Sequence, residues 1–325
     1  MNTKFELFAN DNKSDASAPP SYDAVSTSSL SADSVQCRPP PVFSQIRIKQ
    51  TRATVLSLIR DMVSTPDFTP ASITPIVNAC AAALPAAEFT DVLQTPNIEG
   101  HTAMYWAIVN NRPQVLWALF KFIPRYTSAA ASDVRLACMT TSDHALFMKL
   151  NLKGNSNCKD EPLNRSLGCP PDEIQVHEGD GLPENQFTAN FRIRMFQKRL
   201  RIAQNMRIEL IAKGRIWYLL FYTGDEAKLR VRLGLSWHSL PARPNAALFI
   251  KAQKEQPDCV TPPEGLLIKF QLEETMLLSP EGNTSNSHRT CTSIDASLGN
   301  WLMYDNTMYV DSDGTLHARL EMELT

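Results

Sequence analysis

The sequence lacks the features that mark a membrane protein or a secreted protein. No stretch approaches the roughly 18 uninterrupted apolar residues of a transmembrane helix, and the start, MNTKFELFANDNK, has no apolar core of signal-peptide length. The seven cysteines are scattered, and no Cys-x-x-Cys pair occurs. These absences favour a reducing compartment with free thiols over a disulfide framework. They predict a cytoplasmic location, with the nucleus as the alternative.

Motifs for catalysis and cofactor binding are also missing. The chain contains no P-loop, dinucleotide fingerprint or nucleophile elbow, and its six histidines show no metal-ligand spacing. The net charge of −2 argues against a protein built mainly to neutralise the phosphates of nucleic acid. We therefore expect no cofactor, no metal and no catalytic residue. The composition leaves the oligomeric state open.

Changes in composition divide the chain into four parts. Residues 1–45 are rich in Ser and Pro and carry few large apolar side chains, so they cannot offset the entropy cost of ordering and are predicted to be disordered. Residues 46–151 show helical spacing of apolar side chains, whereas residues 187–325 alternate with a period of two. Between them, residues 152–186 are acidic and interrupted by Gly and Pro, which indicates a linker or long loop. The predicted fold class is α+β, with an all-α helical domain followed by an antiparallel β-sandwich domain.

The helical part contains one segment with a recognisable pattern, IEGHTAMYWAIVNNRPQVLWALF at residues 98–120. This segment resembles an ankyrin repeat, whose pattern it matches at Gly100, Thr102, Met104, Ala107, Val115 and Leu119. Thr102 is predicted to cap the first helix. Asn111 stands where a Gly usually takes the left-handed conformation, which Asn tolerates. Ala103 replaces the usual Pro and Tyr105 the usual His.

A second unit of the same kind is predicted at residues 132–150, because Ala137 follows Ala107 by thirty positions, close to the ankyrin period of about 33. The arrangement is similar to that of uncharacterised fungal ankyrin-like proteins. Ankyrin stacks bind proteins along a concave face, so the resemblance implies a partner-binding surface around Tyr105 and Arg112. A plain helical bundle is the alternative interpretation.

The Ser- and Pro-rich segment carries a short motif, Pro-Pro-Ser-Tyr, at Pro19, Pro20, Ser21 and Tyr22. It resembles the PPxY ligand of WW domains. The two prolines predispose the chain to polyproline II, so little entropy is lost on docking, and Tyr22 would fill the aromatic pocket. WW domains of this class often belong to ubiquitin ligases, so the resemblance implies recruitment of such a ligase. The alternative is an inert linker.

The β part contains the strand RIWYLLFY, a short turn and the strand LRVRL, a pair that faintly resembles the Trp-containing strand pair of MATH/TRAF-type sandwiches. Trp217 is predicted to lie in the core. Residues 192–215 hold many basic side chains and a single acidic one, Glu209. They predict either a basic face for acidic ligands, or the solvated side of strands facing the acidic segment. We favour the second interpretation, because aromatic side chains are not interleaved.

The end of the chain reads MYVDSDGTL, in which Asp311 and Asp313 imitate the first motif of haloacid-dehalogenase-like phosphatases. The position argues against this function, because the motif normally follows the first strand of a large α/β domain. Asp313 and Gly314 between alternating apolar runs are instead typical of a hairpin turn.

Taken together, these features predict a non-enzymatic adaptor that binds protein partners, a WW-domain protein among them. The alternatives are a regulatory protein that binds a ligand on a basic sandwich face, and a magnesium-dependent phosphatase, which the sequence disfavours.

Overall fold

The structure is a computed structural model that describes residues 41–65, 70–152, 160–179, 181–224, 228–253, 265–270, 276–280, 290–304 and 307–325. Within these ranges helices come first and antiparallel sheets follow, which confirms the α+β fold class. Gln45–Thr325 form one compact unit. In the described part of the chain, no helix has the length and apolar character needed to cross a membrane.

Helices dominate the first part of the unit. Helix α1 begins at Pro41, so the prediction of a disordered tail is wrong for residues 41–45, while residues 1–40 lie outside the described ranges. The helices are α1 (Pro41–Ser64), α2 (Pro70–Ala83), α3 (Ala86–Gln94), α4 (Ala103–Val109), α5 (Pro113–Phe120), α6 (Ser128–Thr140), α7 (His144–Leu150), α8 (Asp160–Ser166) and α9 (Phe196–Ala203).

The apolar stripes of the sequence become the buried faces of these helices. Val55, Ile59 and Met62 of α1 are buried together with Phe89 of α3 in one hydrophobic cluster. Leu58, which shares the apolar spacing of α1, is exposed. The cluster also contains side chains from α4, α5, α6 and α7, so burial of apolar area joins all these helices into one core.

The pairs α4–α5 and α6–α7 are joined by the same kind of turn. Asn111 (φ +50°) and Ser142 (φ +53°) take the left-handed conformation thirty-one residues apart, so the conformation predicted for Asn111 is confirmed. In each turn the amides of the second and third residues after the first helix donate back to carbonyls of its last turn, which satisfies groups that a helix end leaves open. These bonds are Asn111 to Ile108, Arg112 to Ala107, Ser142 to Met139 and Asp143 to Cys138. Equivalent positions of the two helix pairs are therefore thirty-one residues apart in the chain, one more than the thirty predicted.

The strands form two antiparallel sheets and a small parallel pair. The five-stranded sheet has the order β1-β2-β11-β6-β7 and the four-stranded sheet the order β10-β5-β4-β3, while β8 pairs with β9. The strands are β1 (Glu173–Glu178), β2 (Gln186–Ile193), β3 (Asn205–Ala212), β4 (Arg215–Thr223), β5 (Leu229–Leu235), β6 (Pro244–Ile250), β7 (Leu266–Phe270), β8 (Met276–Leu277), β9 (Thr290–Cys291), β10 (Ser293–Ser297) and β11 (Leu316–Leu324).

Both antiparallel sheets contribute to a second hydrophobic cluster. Phe187 of β2 and Trp217 of β4 are fully buried, with ring centroids 6.0 Å apart. The indole Nε1 of Trp217 donates to the carbonyl of Ala212, so the buried polar atom is satisfied. The prediction that Trp217 is a core residue is confirmed.

The segment 152–186 is more ordered than the linker or loop that the sequence predicts. It contains α8, and residues Glu173–Glu178 form β1, which pairs with β2 in antiparallel register. The prediction is therefore wrong at these residues. Gly and Pro residues flank β1 on both sides, and its six side chains are partly buried or exposed. Such a strand shows little alternation of apolar and polar residues, so the sequence pattern does not indicate it.

The helices and the sheets also pack against each other. Ile211 of β3 and Ile216 of β4 are fully or almost fully buried within the helical cluster rather than in the sheet cluster. The β3–β4 hairpin therefore contributes one side chain from each strand to the helical core, and the two parts share a buried boundary.

Candidate partner-binding site

A short β-hairpin precedes helix α4. Ile98 and His101 exchange two backbone hydrogen bonds of 3.0 and 2.9 Å, and Glu99 and Gly100 form the tip. Both tip residues have positive φ, +46° and +79°, as a two-residue turn of this type requires. Gly100 meets this requirement without strain because it has no Cβ.

One carboxylate ties the hairpin to the following pair of helices. Asp133 of α6 accepts the backbone N–H of Thr102 (2.7 Å) on Oδ2 and faces Nδ1 of His101 at 2.6 Å with Oδ1. The Thr102 hydroxyl accepts the amide of Tyr105 (3.2 Å), so the predicted helix cap is confirmed. Because a carboxylate oxygen accepts, Nδ1 of His101 is the donor in this contact.

Tyr105 lies directly beside this contact. Its ring stacks on the imidazole of His101 with centroids 3.7 Å apart and planes 8° from parallel. It also meets Trp106 edge to face at 5.3 Å, and Trp106 donates its indole N–H to the carbonyl of Ile98. Tyr105 and Trp106 thereby hold the His101 ring from two sides and set its orientation.

The hairpin, α6 and the loop between β5 and β6 surround an open cleft of about 290 Å³. Its lining mixes small apolar groups with imidazole, hydroxyl and carboxylate groups. The lining residues are Pro96, Gly100, His101 and Thr102 from the hairpin and the residues flanking it, Ala129, Ser132, Asp133 and Leu136 from α6, and His238 from the loop.

His238 closes the cleft from the side of the sheets. Its Nε2 lies 3.3 Å from the hydroxyl oxygen of Ser132, so the loop contacts the first half of α6 directly. Next to it in the loop, Ser239 accepts the amide of Ile216 (3.0 Å) on its hydroxyl, and Met139 of α6 lies 3.6 Å from that same oxygen. The cleft is therefore built from residues more than one hundred positions apart.

The structure separates the two residues that the ankyrin resemblance placed on one surface. Tyr105 is not itself a lining residue of the cleft, but it stacks on His101, which is one. Arg112 precedes α5, beyond the other end of α4, and does not line the cleft. Pro19, Pro20 and Tyr22 of the PPxY-like motif lie outside the described residues.

His101, Asp133 and His238 were not identified from the sequence. His101 and Asp133 are thirty-two positions apart in the chain, and no local pattern links them. The ankyrin-like spacing places α4 beside α6, and it is the one signal that could have directed attention to polar residues at the start of both helices.

Three of the basic residues in 192–215 pair with the acidic segment, but Arg199 lies buried on helix α9 and not on the solvated side of a strand, as the favoured interpretation has it. Arg192 and Arg194 bind Glu173 at 2.9 and 2.6 Å, and these contacts, led by the hydrogen bond from Arg194, lower the pKa of Glu173. The guanidinium of Arg199, almost completely buried, contacts both carboxylate oxygens of Asp172 at 2.7 and 3.0 Å. Three arginines thus pair with two carboxylates of the acidic segment within the protein.

Asp311 organises the turn that precedes β11. Its Oδ1 accepts the backbone amides of Asp313 and Thr315, and its Oδ2 lies 3.1 Å from Nε2 of His317. Burial works to raise the pKa of Asp311, but these hydrogen bonds outweigh it and lower the pKa. The turn predicted at Asp313 and Gly314 is confirmed, with Gly314 at φ +76°.

In the part of the chain that the structure describes, no three His, Cys, Asp or Glu side chains come together as a metal site. The chain matches no protein-family model, and a comparison with curated proteins finds no match.

Proposed function

We propose that this protein is a non-enzymatic adaptor that brings protein partners together. The observation that carries the proposal is the open cleft between the hairpin, α6 and the β5–β6 loop. The cleft lies at the start of two successive helix pairs, and in this proposal it corresponds to the concave binding surface of an ankyrin-type stack. In this proposal α4–α5 and α6–α7 are ankyrin-like units, and the two antiparallel sheets that share a core form a sandwich beside them.

The second contact of the adaptor is the PPSY motif at Pro19, Pro20 and Tyr22. A polyproline II segment is already close to its bound conformation, so a WW domain can dock without a large entropy cost. The proposal places a WW-domain protein, such as a ubiquitin ligase of the cytoplasm, on this motif, and a different protein on the folded unit. Such an arrangement would bring the ligase close to the second protein.

The test for the motif is a titration of the full chain with a WW domain that binds PPxY peptides, followed by fluorescence anisotropy. We expect saturable binding that falls at least tenfold in Tyr22→Ala, because the aromatic ring is the main anchor. Tyr304→Ala, which removes another exposed tyrosine, is the matched control and should bind as the wild type does. Equal affinity of wild type and Tyr22→Ala would reject the motif.

The test for the adaptor as a whole is affinity purification from the native host with the intact chain and with Tyr22→Ala as baits. The proposal expects a WW-domain protein to disappear with the substitution while other partners are retained. Recovery of the same proteins by both baits would remove the tethering function.

The internal pairing of Arg192, Arg194 and Arg199 weakens the case for a basic-face regulator. The hydrogen bonds of Asp311 favour a structural role for that carboxylate.

A further inference from the structure

Strand β7 lies at one end of the five-stranded sheet. It pairs with β6 on one side, and among the described residues it pairs with no strand on the other. In the same part of the chain, the backbone of Leu266–Phe270 makes no hydrogen bond outside the ladder with β6. Strand β10 of the other sheet lies nearby but is not hydrogen-bonded to β7. Backbone groups left open in this way are a template for pairing with a further strand.

Two large apolar side chains lie next to this open side of β7. Phe249 and Leu267 are opposite each other in the β6–β7 ladder and are 40% and 53% exposed. Their chain neighbours Leu248 and Ile268 are buried. The alternation of side chains along a strand therefore places the exposed pair on the outer face of the sheet. The ring of Phe249 reaches across to β7, where a Cβ on Gly265 would lie 2.2 Å from its Cζ, so the pair forms one apolar patch.

The charge next to the apolar patch is positive. Lys269 follows Leu267 by two residues and is exposed on the same face of β7. Glu321 of β11 lies in the same row of the sheet, but β6 stands between the two strands, so their backbones are roughly 9–10 Å apart. Glu321 pairs instead with Arg319, at 3.1 Å. Within the described residues, Lys269 has no ion-pair partner.

These features define what an added strand would need. A strand beside β7 places every second side chain on the outer face, so one stands opposite Leu267 and another, two positions away, opposite Lys269. An apolar side chain extends the patch, and a carboxylate forms an ion pair across the two strands. A second copy of β7 meets only the first need, because Leu266–Phe270 contains no Asp or Glu. The charge therefore favours an acidic partner over self-association.

We propose that the β7 edge, defined as β7 with the side chain of Phe249 beside it, is the docking site for an extended acidic segment of a partner protein. The segment adds a strand next to β7, with an Asp or Glu opposite Lys269 and an apolar side chain opposite Leu267. Backbone hydrogen bonds supply the affinity, and the two side-chain contacts supply the specificity. None of these residues lines the cleft, so the inference goes beyond the proposed function and names a further binding surface.

The experiment uses a phage-displayed library of random 12-residue peptides, selected on the immobilised full chain and depleted on Lys269→Glu. Enriched peptides are synthesised, and their affinities for purified variants are measured by fluorescence polarisation. We expect the enriched sequences to carry Asp or Glu two positions from an apolar residue. Affinity should fall at least fivefold in Lys269→Glu, because a cross-strand attraction becomes a repulsion.

A charge exchange tests the contact itself. Replacement of the peptide's acidic residue by Lys should abolish binding to the wild type and restore binding to Lys269→Glu. The matched control is Lys49→Glu, which reverses an exposed lysine of α1 and should bind the original peptides as the wild type does. Because Lys269 is exposed, its replacement leaves the core intact, and circular dichroism verifies folding.

Peptides that carry one N-methyl group each test the strand addition. In an added strand only alternate amides point towards β7, so methylation should abolish binding at every second central residue and be tolerated at the residues between. Equal effects at all central residues would reject the added strand.

Other results would also overturn the proposal. They are enrichment of basic peptides, a library that yields no enrichment, and equal affinity of wild type and Lys269→Glu. A dimer of the full chain that dissociates in Leu267→Ala, without peptide binding, would assign the edge to a second copy. Tyr22→Ala should keep full peptide affinity, and Lys269→Glu should keep full affinity for the WW domain, so failure of this surface is distinguished from failure of the proposed function.

Discussion

Arg135 of α6 and Glu209 of β3 form a buried ion pair across the boundary between the helices and the sheets, with Nη1 and Oε2 2.7 Å apart. Arg207 and the hydroxyl of Ser236 also bind Glu209, at 2.9 and 2.8 Å. Glu209 therefore connects a helix, its own strand and the start of the β5–β6 loop, which ties the cleft to the fold.

Replacement of Glu209 by Gln should lower the free energy of unfolding by roughly 3–5 kcal/mol, because it leaves buried guanidinium groups without a countercharge. Urea unfolding at pH 7 measures the change. Glu321→Gln is the control. Glu321 and its partner Arg319 are both about half exposed, and an exposed ion pair contributes about 1 kcal/mol or less to the free energy of unfolding. Equal effects of the two substitutions would contradict a central role for Glu209.

The same carboxylate predicts a loss of stability in acid. Burial raises the pKa of Glu209, but Arg135, Arg207 and Ser236 outweigh it and bring the pKa to about 2. This pKa lies below the pKa of Glu209 in the unfolded chain. The contribution of ionised Glu209 to the free energy of unfolding is therefore complete above about pH 4.3 and is lost as the pH falls towards 2. Unfolding curves at pH 5 and pH 3 should show that the difference between wild type and Glu209→Gln narrows at the lower pH.

His144 predicts a second pH dependence, at higher pH. Its Nδ1 accepts the amide of Ile211 (3.2 Å), while its Nε2 faces the carbonyl of Ile174 (3.3 Å). Desolvation by burial lowers the pKa of this imidazole. The folded protein therefore binds a proton at His144 less readily than the unfolded chain does. The contribution of neutral His144 to the free energy of unfolding is complete above about pH 6.5. Below that pH it declines, by up to about 1.4 kcal/mol per pH unit.

Unfolding of the wild type and of His144→Gln at pH 7.5 and 5.5 tests this dependence. Gln keeps a donor for Ile174 but does not titrate, so the variant should lose less stability between the two pH values. His177→Gln, at an exposed position of β1, should keep the slope of the wild type. A variant His144→Gln with an unchanged slope would show that other groups carry the proton uptake.

Asn111 predicts opposite effects for two small substitutions. At φ +50° a residue with a Cβ is strained, and Asn offsets this strain because its short polar side chain can form a local hydrogen bond. Alanine cannot do so, and Asn111→Ala should therefore destabilise the protein by roughly 1 kcal/mol. Asn111→Gly removes the steric conflict and should be neutral or slightly stabilising. Thermal unfolding of the two variants checks the order, and a more stable Ala variant would contradict the turn.

The four-stranded sheet leaves no room for a side chain at Gly234. Gly234 lies opposite Tyr218, and a Cβ at this position would lie 2.3 Å from Cζ of that ring. The ring has little freedom to move, because Arg207 lies over it at 3.8 Å from the centroid. Gly234→Ala should therefore cost roughly 1–3 kcal/mol, as overpacking does.

A double-mutant cycle with Tyr218→Leu tests the cause. If the tyrosine ring is the obstacle, Gly234→Ala should cost much less in the Tyr218→Leu background. An equal cost in both backgrounds would place the conflict in the backbone instead.

The sequence predicts those features of this fold that depend on neighbours close in the chain. The helical stripe of α1, the cap at Thr102 and the turn at Asn111 each involve residues within one or two helical turns. The alternation of β11 likewise follows from the two faces of one strand. The α+β class and the burial of Trp217 could therefore be predicted.

Other features depend on residues that are distant in the chain. The strand β1 is stable because β2 pairs with it, and its own residues carry little apolar periodicity. The same is true of the contacts of Asp133 with His101 and of His238 with Ser132, which bring together residues 32 and 106 positions apart.

By itself, therefore, the sequence determined the class of fold, the helix caps and turns, and a PPSY motif whose use stays a prediction. Only the tertiary structure decided that Arg192, Arg194 and Arg199 pair with Asp172 and Glu173, and that His101, Asp133 and His238 line one cleft. The physical reason is that periodicity and capping act over a few residues, whereas charge pairing and clefts depend on which distant surfaces the packed core brings together.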